Sequence, residues 1–377
     1  MNKAKKKKGF KIVLSVFFAA VFFAAAAFVI PAFYFAGKGL ENDLAAQKAR
    51  VVQLRENPGD PVDEQSFAAF DLGLDPLIHE IRTVNTHNSY RKMFDGFIGA
   101  YFDFFVPKKM QTEFVYEHPA FTEQLNDGVR GLEWDVRAQD GGFNLSHFAV
   151  VDYRSSAPDL TLALEEVLIW SNNNPDHVPV TILLEYKSEP WIMNPKIEKP
   201  GAETLKRLDK TIADAIGRDK LITPSDIIGA YESMKDAVAA NNFPKLSEAK
   251  GKFMFLLHYG DELTPVYIGL DESLKSQTLF PTVQISAYDR SALEKYSKYA
   301  SHILYNEPDT EGIAALVSAN YIVRTRADEG MVIDAERAQK AILSGAQIVT
   351  TDFERVLITP KTDYYFSFGD GRTIGLR

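Results

Sequence analysis

His87 and Asn88, Glu133 and Asp135, His147, and Glu185 with Lys187 each stand at or just past the end of a short apolar run. Residues two apart on a strand project to the same side, so Glu133 pairs with Asp135 and Glu185 with Lys187, while Trp134 points away. Carboxylates at 133, 135 and 185 with an asparagine carbonyl at 88 make an oxygen-rich cluster, which suits Ca2+ or Mg2+ and not a soft metal. Zinc would want more imidazole or thiolate. The chain has no cysteine, which excludes disulfides, thiolate ligands and a cysteine nucleophile. The two histidines then remain for acid–base work or for stabilising phosphate, since an unperturbed imidazole titrates at roughly 6.5. A divalent cation beside two imidazoles points to phosphoryl transfer.

Such residues work together only if strand ends bring them to one place. From residue 81 onward, short runs rich in Val, Ile and Tyr alternate with segments of helical period, the pattern of a parallel sheet with crossover helices. The spacing predicts strands at 81–86, 131–136, 143–147, 180–186, 252–259, 303–306, 321–325 and 347–351. Helices are expected at 161–173, 202–216, 230–241, 310–319 and 334–344. The run at 143–147 also reads as part of a long loop. This alternation suits a closed (β/α)8 barrel of the TIM type better than a doubly wound open sheet, and the C-terminal strand ends of such a barrel share one mouth. No Gly-rich phosphate fingerprint opens a helix, so a nucleotide-binding Rossmann reading has no support. Residues 188–201 hold Pro190, Pro195 and Pro200 and form a loop whose Trp191, Ile192 and Met193 either touch lipid or cap the barrel. His177 reads as structural, His79, His118 and His302 as surface residues, and His258 and Asp352 as residues near the mouth without a fixed role. Arg324 and Arg326 share a side and either pair with acids or bind phosphate.

The N-terminus has another character. Residues 12–37 carry no charge and are dominated by Phe, Ala and Val, long enough at ~1.5 Å per residue to span a hydrocarbon core of ~30 Å. Lys3, Lys5, Lys6, Lys7, Lys8 and Lys11 precede the run, which by the positive-inside tendency keeps residues 1–11 cytoplasmic and places the chain beyond Gly37 outside. A cleaved signal peptide usually has an apolar region of ~7 to 15 residues before a small-x-small site; this run is longer and no such site comes after it. The expected organisation is a basic N-terminus (1–11), a transmembrane helix (12–37), a stalk (38–80) and a barrel (81–377) at the cell membrane, secreted if the apolar segment is removed. The net charge is −9, and setting aside the six N-terminal lysines leaves about −15 on the rest of the chain, so the acidic body should not bind nucleic acid nonspecifically. Nothing in the sequence demands a protein partner.

At the polar residues the chain becomes recognisable. Thr86-His87-Asn88-Ser89-Tyr90, Gly131-Leu132-Glu133-Trp134-Asp135, His147 and Leu184-Glu185-Tyr186-Lys187 resemble the calcium-dependent phosphoinositide phospholipase C family in order and spacing. The likeness runs through Asn174-Pro175-Asp176-His177 and Val323-Arg324-Thr325-Arg326-Ala327-Asp328 to Thr351-Asp352. It implies a distorted TIM barrel acting on a phospholipid at a membrane. It further implies Asn88, Glu133, Asp135 and Glu185 as calcium ligands, His87 stabilising charge on phosphorus and His147 protonating the leaving alcohol. The inositol 2-hydroxyl would attack its own phosphodiester, with Glu133 or Glu185 as base and with Lys187 and Arg326 on phosphate oxygens. A glycerophosphodiesterase or a sphingomyelinase D-like enzyme is the alternative on the same barrel, but those open with a His-Arg-Gly-like turn where this chain has His87-Asn88-Ser89. A non-catalytic lipid-binding barrel would not need two histidines around a carboxylate cluster.

Overall fold

Runs such as Val180–Tyr186 and Phe253–Leu257 lack polar alternation because both their faces are covered, as in parallel strands packed between helices; of these residues only Glu185 is not fully buried. The computed structural model describes residues 37–94, 99, 111, 114–147, 154–187 and 196–377. The strands in chain order are β1 (Ile81–Thr86), β2 (Gly131–Gln139), β3 (Gly142–Leu145), β4 (Val180–Tyr186), β5 (Leu221–Ile222), β6 (Phe253–Leu257), β7 (Phe280–Gln284), β8 (His302–Leu304), β9 (Ile322–Arg326), β10 (Ile348–Thr351) and β11 (Ile374–Leu376). Eight of them pair in parallel in the order β1, β2, β4, β6, β7, β8, β9, β10, and β10 pairs with β1 to close a barrel.

Closure is uneven, and two seams explain the distortion. β1 meets β2 only through Asn85↔Gly131 and Thr86↔Leu132, while its first half pairs with antiparallel β11. Gly131 permits that seam, because a Cβ there would run into the Asn85 amide. Likewise β6 pairs with short β5 at its start and with β7 only at Leu256 and Leu257.

The expected number of barrel strands holds, but its membership needs one correction. The run at 143–147 is no barrel strand: β3 folds back antiparallel on β2 through the two-residue turn Asp140-Gly141, with φ of 51° and 79°. Asp-Gly is a strong signal for such a turn. The place in the barrel belongs instead to β7, whose Pro281 lacks an amide donor and hides the strand from propensity. Four helices stand close to expectation, at Leu160–Asn173, Ala202–Ile216, Thr310–Ser318 and Ala335–Leu343, whereas the one expected at 230–241 is shortened to Met234–Ala239.

The expected span at 12–37 lies outside the described residues except for Gly37, and Trp191, Ile192 and Met193 lie outside them too. Among the described residues no helix is long and apolar enough to cross a membrane. The 38–80 segment, expected to be a stalk, is seated on the barrel. It is helical over 37–56, and this helix lies along Leu160–Asn173 and the residues before it. Gln47 exchanges hydrogen bonds of 2.9 Å with the Asp159 backbone, Arg50 donates to Glu166 at 2.9 Å, and Arg55 donates to Glu165 at 2.8 Å. Further on, buried Glu64 takes the Arg130 guanidinium at 2.8 Å and the Val178 amide at 2.9 Å.

Candidate functional site

Trp134 is fully buried and stacks on Phe121 with ring centroids 5.0 Å apart outside β2, which turns Glu133 and Asp135 toward the barrel interior. On β9, Arg324 and Arg326 share the interior side. Arg324 reaches across the barrel to Glu133, Nη2 to Oε2 at 2.8 Å, and Arg326 lies 3.4 Å from Asp352, just beyond β10. Of the two readings for these arginines, pairing with acids is what the structure brings about.

His87 leaves β1 with its amide donated to Thr351 O at 3.0 Å, and Asn88 comes next with φ of 47°, a left-handed conformation that asparagine tolerates. The His87 Nδ1 lies 2.7 Å from Asp352 Oδ1. A carboxylate only accepts, so Nδ1 carries the proton and Nε2 faces Glu133 Oε1, 3.8 Å away. Burial alone would raise Asp352, but His87 and then Arg326 outweigh it and hold its carboxyl well below the usual range. Its neighbour Asp328 accepts from the Asp352 amide at 2.6 Å and is raised to about 7 by burial and by the charge of Asp352. Asn88 Nδ2 donates to Tyr116 Oη at 2.8 Å, which leaves the amide oxygen as the group able to face a cation. His87, Asn88 and His147 line one cavity of about 280 Å³ together with Tyr116, Arg326 and Asp352. The His147 carbonyl accepts from Arg137 at 2.5 Å, and its ring lies 5.9 Å from that of Phe114. A larger open cavity of about 580 Å³, between Glu307–Glu311 and Asp334–Lys340, holds neither histidine.

The other carboxylates lie on β2 and β4. Asp135 and Glu185 are register partners on β2 and β4, which puts them side by side on the interior face. Lys187 bridges them, with Nζ 2.6 Å from Glu185 Oε1 and 3.4 Å from Asp135 Oδ2. Glu133 would be raised by burial, yet Arg324, His87, His258 and Arg326 hold it at about 2. Asp135 goes the other way: burial outweighs Lys187, and the charges of Glu185 and Glu133 add to burial, so its carboxyl is pushed up to about 7. Glu185 is lowered despite burial, chiefly by Lys187.

These groups fit a hard divalent cation by chemistry. Both Asp135 oxygens are buried with no hydrogen bond of good geometry, the Lys187 ammonium at 3.4 Å being their ion-pair partner, which is a condition a metal ligand would relieve. Among the described residues, however, no three His, Asp or Glu side chains gather as a group that could hold a metal ion, because Glu133 is turned to Arg324 and Glu185 to Lys187. The structure thus brings His87, Asn88 and His147 to one cavity and places Glu133 against His87, with Asp135, Glu185 and Lys187 as a second cluster on β2 and β4. Lys187 and Arg326, expected on phosphate, are engaged with Glu185 and Asp352.

Sequence reasoning left Asp352 without a role, although it fixes His87. It also left His258 undecided, and the charge of that ring bears on both Glu133 and Glu185. His79, His118 and His302, read as surface residues, are buried: His79 stacks on Phe243, and His118 pairs with Glu354 at 2.8 Å. His177 is structural as expected, held between Val178 O and Ser171 Oγ.

Comparison with known proteins adds to this geometry. The family described as phosphoinositide phospholipase C, Ca2+-dependent, matches residues 77–144 and 137–376. Among solved structures, a calcium-dependent phosphoinositol-specific phospholipase C from Pseudomonas sp is 18% identical with a TM-score of 0.59, covering 84% of this chain and all of its own. The Pseudomonas enzyme in its myo-inositol complex is 19% identical with a TM-score of 0.56, over 84% of this chain and 98% of that one. The Ca2+-dependent phosphatidylinositol-specific phospholipase C of Streptomyces antibioticus is 18% identical with a TM-score of 0.53, over 74% of this chain and 95% of that one. At these identities the structural likeness speaks for the fold. No match is found among curated proteins.

Proposed function

The chain belongs to the calcium-dependent phosphoinositide phospholipase C family, and from that premise we propose that it cleaves phosphatidylinositol-type lipids by attack of the inositol 2-hydroxyl on the adjacent phosphorus. The observation that carries the proposal is the His87–Asp352 pair in a cavity shared with His147 and Asn88. A bond forms between the 2-oxygen and phosphorus, the bond from phosphorus to the diacylglycerol oxygen breaks, and the products are a cyclic inositol phosphodiester and diacylglycerol. Asp352 holds the Nδ1 proton of His87 and so aims Nε2 into the cavity, from where the ring, once protonated at Nε2 as well, stabilises charge on the phosphoryl oxygens. His147 gives its proton to the leaving diacylglycerol oxygen. Glu133 or Glu185 takes the proton of the 2-hydroxyl, and Glu133 is the poorer base while Arg324 holds it at about 2. Asn88, Glu133, Asp135 and Glu185 would hold calcium, which when bound supplies positive charge that lowers the pKa of the 2-hydroxyl. Lys187 and Arg326, paired with Glu185 and Asp352 in the free protein, would exchange these carboxylates for phosphate oxygens when substrate binds. The apolar run at 12–37 anchors the barrel outside the cell membrane, near its lipid substrate.

The test is the purified full-length chain on phosphatidylinositol, glycerophosphoinositol and sphingomyelin, with and without calcium. Cleavage of phosphatidylinositol to diacylglycerol, abolished by chelation and restored by calcium, is the expected outcome. Preference for sphingomyelin or for the glycerophosphodiester would overturn the substrate, and full activity in excess EDTA would overturn the cation.

A further inference from the structure

The helix over 37–56 precedes everything the family match covers, yet one of its side chains reaches the segments that carry the site. Asp43 is 2% exposed. Its Oδ1 accepts from Lys92 Nζ at 2.8 Å and from Arg154 Nη2 at 3.0 Å, and its Oδ2 accepts from Arg154 Nε at 2.6 Å and the Ser155 amide at 3.4 Å. Lys92 comes after His87 and Asn88 on the segment leaving β1, and Arg154 comes after His147 on the segment leaving β3. The two segments also meet directly, since Arg91 and Ser155 form an antiparallel bridge and the Ser156 amide donates to Tyr90 O at 2.8 Å. Arg91, fully buried, lies 5.3 Å from the ring of Tyr116, whose hydroxyl accepts from Asn88. A two-pronged arginine–carboxylate pair fixes direction as well as distance. Without the carboxylate, two partly covered cations from different segments would face each other with no counter-charge between them.

We propose that Asp43 is a positioning residue of the phosphodiester-cleaving site, clamping the segment that bears His87 and Asn88 to the one that bears His147. The helix adjoining the N-terminal apolar run is thereby part of the catalytic architecture. This rests on the function proposed above. Displacement of a reacting group by about 1 Å costs on the order of 10²-fold in rate. A displaced His147 matters where the leaving alcohol needs a proton and little where it does not.

The experiment takes the full-length chain in detergent micelles with calcium and two water-soluble inositol phosphodiesters, one with an alkyl and one with a nitrophenyl leaving group. Asp43→Asn is expected to lower turnover of both esters with little change in KM, by about ten- to a hundredfold for the alkyl ester, which needs both histidines, and less for the nitrophenyl ester, which needs His87 alone. Arg154→Met should behave alike and carries the same expectations if Asp43→Asn does not fold. The double variant should lose no more than Arg154→Met alone, because both break one clamp. Arg55→Ala, at the far end of the same helix, should leave both turnovers unchanged. Equal losses on the two esters, or no loss with Asp43→Asn, would overturn the clamp. If the unaltered chain cleaves neither ester, the function reading falls by itself and hydrogen exchange decides the clamp. Faster exchange of the amides of 87–94 and 154–159 in Asp43→Asn then upholds it, and unchanged exchange removes it.

Discussion

Asp352 determines which nitrogen of His87 is presented to the cavity, and that makes a sharp prediction. Asp352→Asn keeps the shape but offers Nδ1 an amide that can donate, so the ring takes the opposite tautomer or loses its orientation. Turnover should fall on the order of 10²- to 10⁴-fold with KM nearly unchanged, as when the orienting carboxylate of a catalytic histidine is replaced. Turnover within threefold of the unaltered chain would show that His87 needs no such partner. A second prediction separates the two histidines. His147→Ala should lower turnover on the natural lipid by a factor of ~10² to 10⁴ and far less on a nitrophenyl ester of inositol phosphate. His87→Ala should impair both, because charge builds on the phosphoryl oxygens whichever alcohol departs. Equal losses on the two substrates for His147→Ala would remove it from the general-acid role. That His87, Asn88 and His147 share a cavity and that Asp135 lies beside Glu185 was legible, because strand ends and period-two spacing announce themselves locally. The role of Asp352 was not, because its partner is 265 positions away and nothing near it in sequence marks it as the carboxylate that orients His87. The buried histidines were misread for the same reason: the ring of His118 is buried by its pairing with Glu354, 236 positions on.

Whole elements behave similarly. Helices with long apolar stripes, such as Ala202–Ile216, declare their own ends, whereas β7 depends on neighbours to override Pro281. The fold-back of β3 was written in Asp140-Gly141, but the run after it suited a barrel strand equally well until the turn geometry decided. The 38–80 segment looked like a spacer because its charges are those of a solvated helix. Arg50, Arg55 and Glu64 instead find partners on the barrel. Glu64 puts a value on that docking. Burial would raise its carboxyl, but Arg130 outweighs burial and lowers it. Glu64→Gln leaves the Arg130 charge buried and uncompensated, and should cost about 3 to 5 kcal/mol. A lowered folded value means the contribution of Glu64 is whole above the usual carboxylate range and is lost as pH falls below about 4. The denaturation midpoints of the unaltered and Glu64→Gln chains should therefore converge in acid. A constant gap between them from pH 7 to pH 3 would refute the ionic origin.

At the scale of the molecule, the basic N-terminus, the apolar run and the acidic body form a sequence of three electrostatic characters, and the seated helix at 37–56 links the second to the third. By the lysine cluster the barrel should face outward. Protease added to intact cells should then cut the chain, while a tag on Met1 stays protected. The fold says where the cut falls and how it must be read. Residues 57–61, between the seated helix and the barrel, are exposed and contain Pro58, Gly59 and Pro61, the composition of a nicking site. A nick there would leave the helix bound through Asp43, Arg50 and Arg55, so the barrel should remain with the cells in native buffer and separate only on denaturation. The measurement is the size of the tagged fragment on a denaturing gel, set against the phospholipase activity of the washed cells. A short protected fragment with retained activity is the expected result. An uncut chain on intact cells that is cut only after lysis would place the barrel inside and reverse the topology.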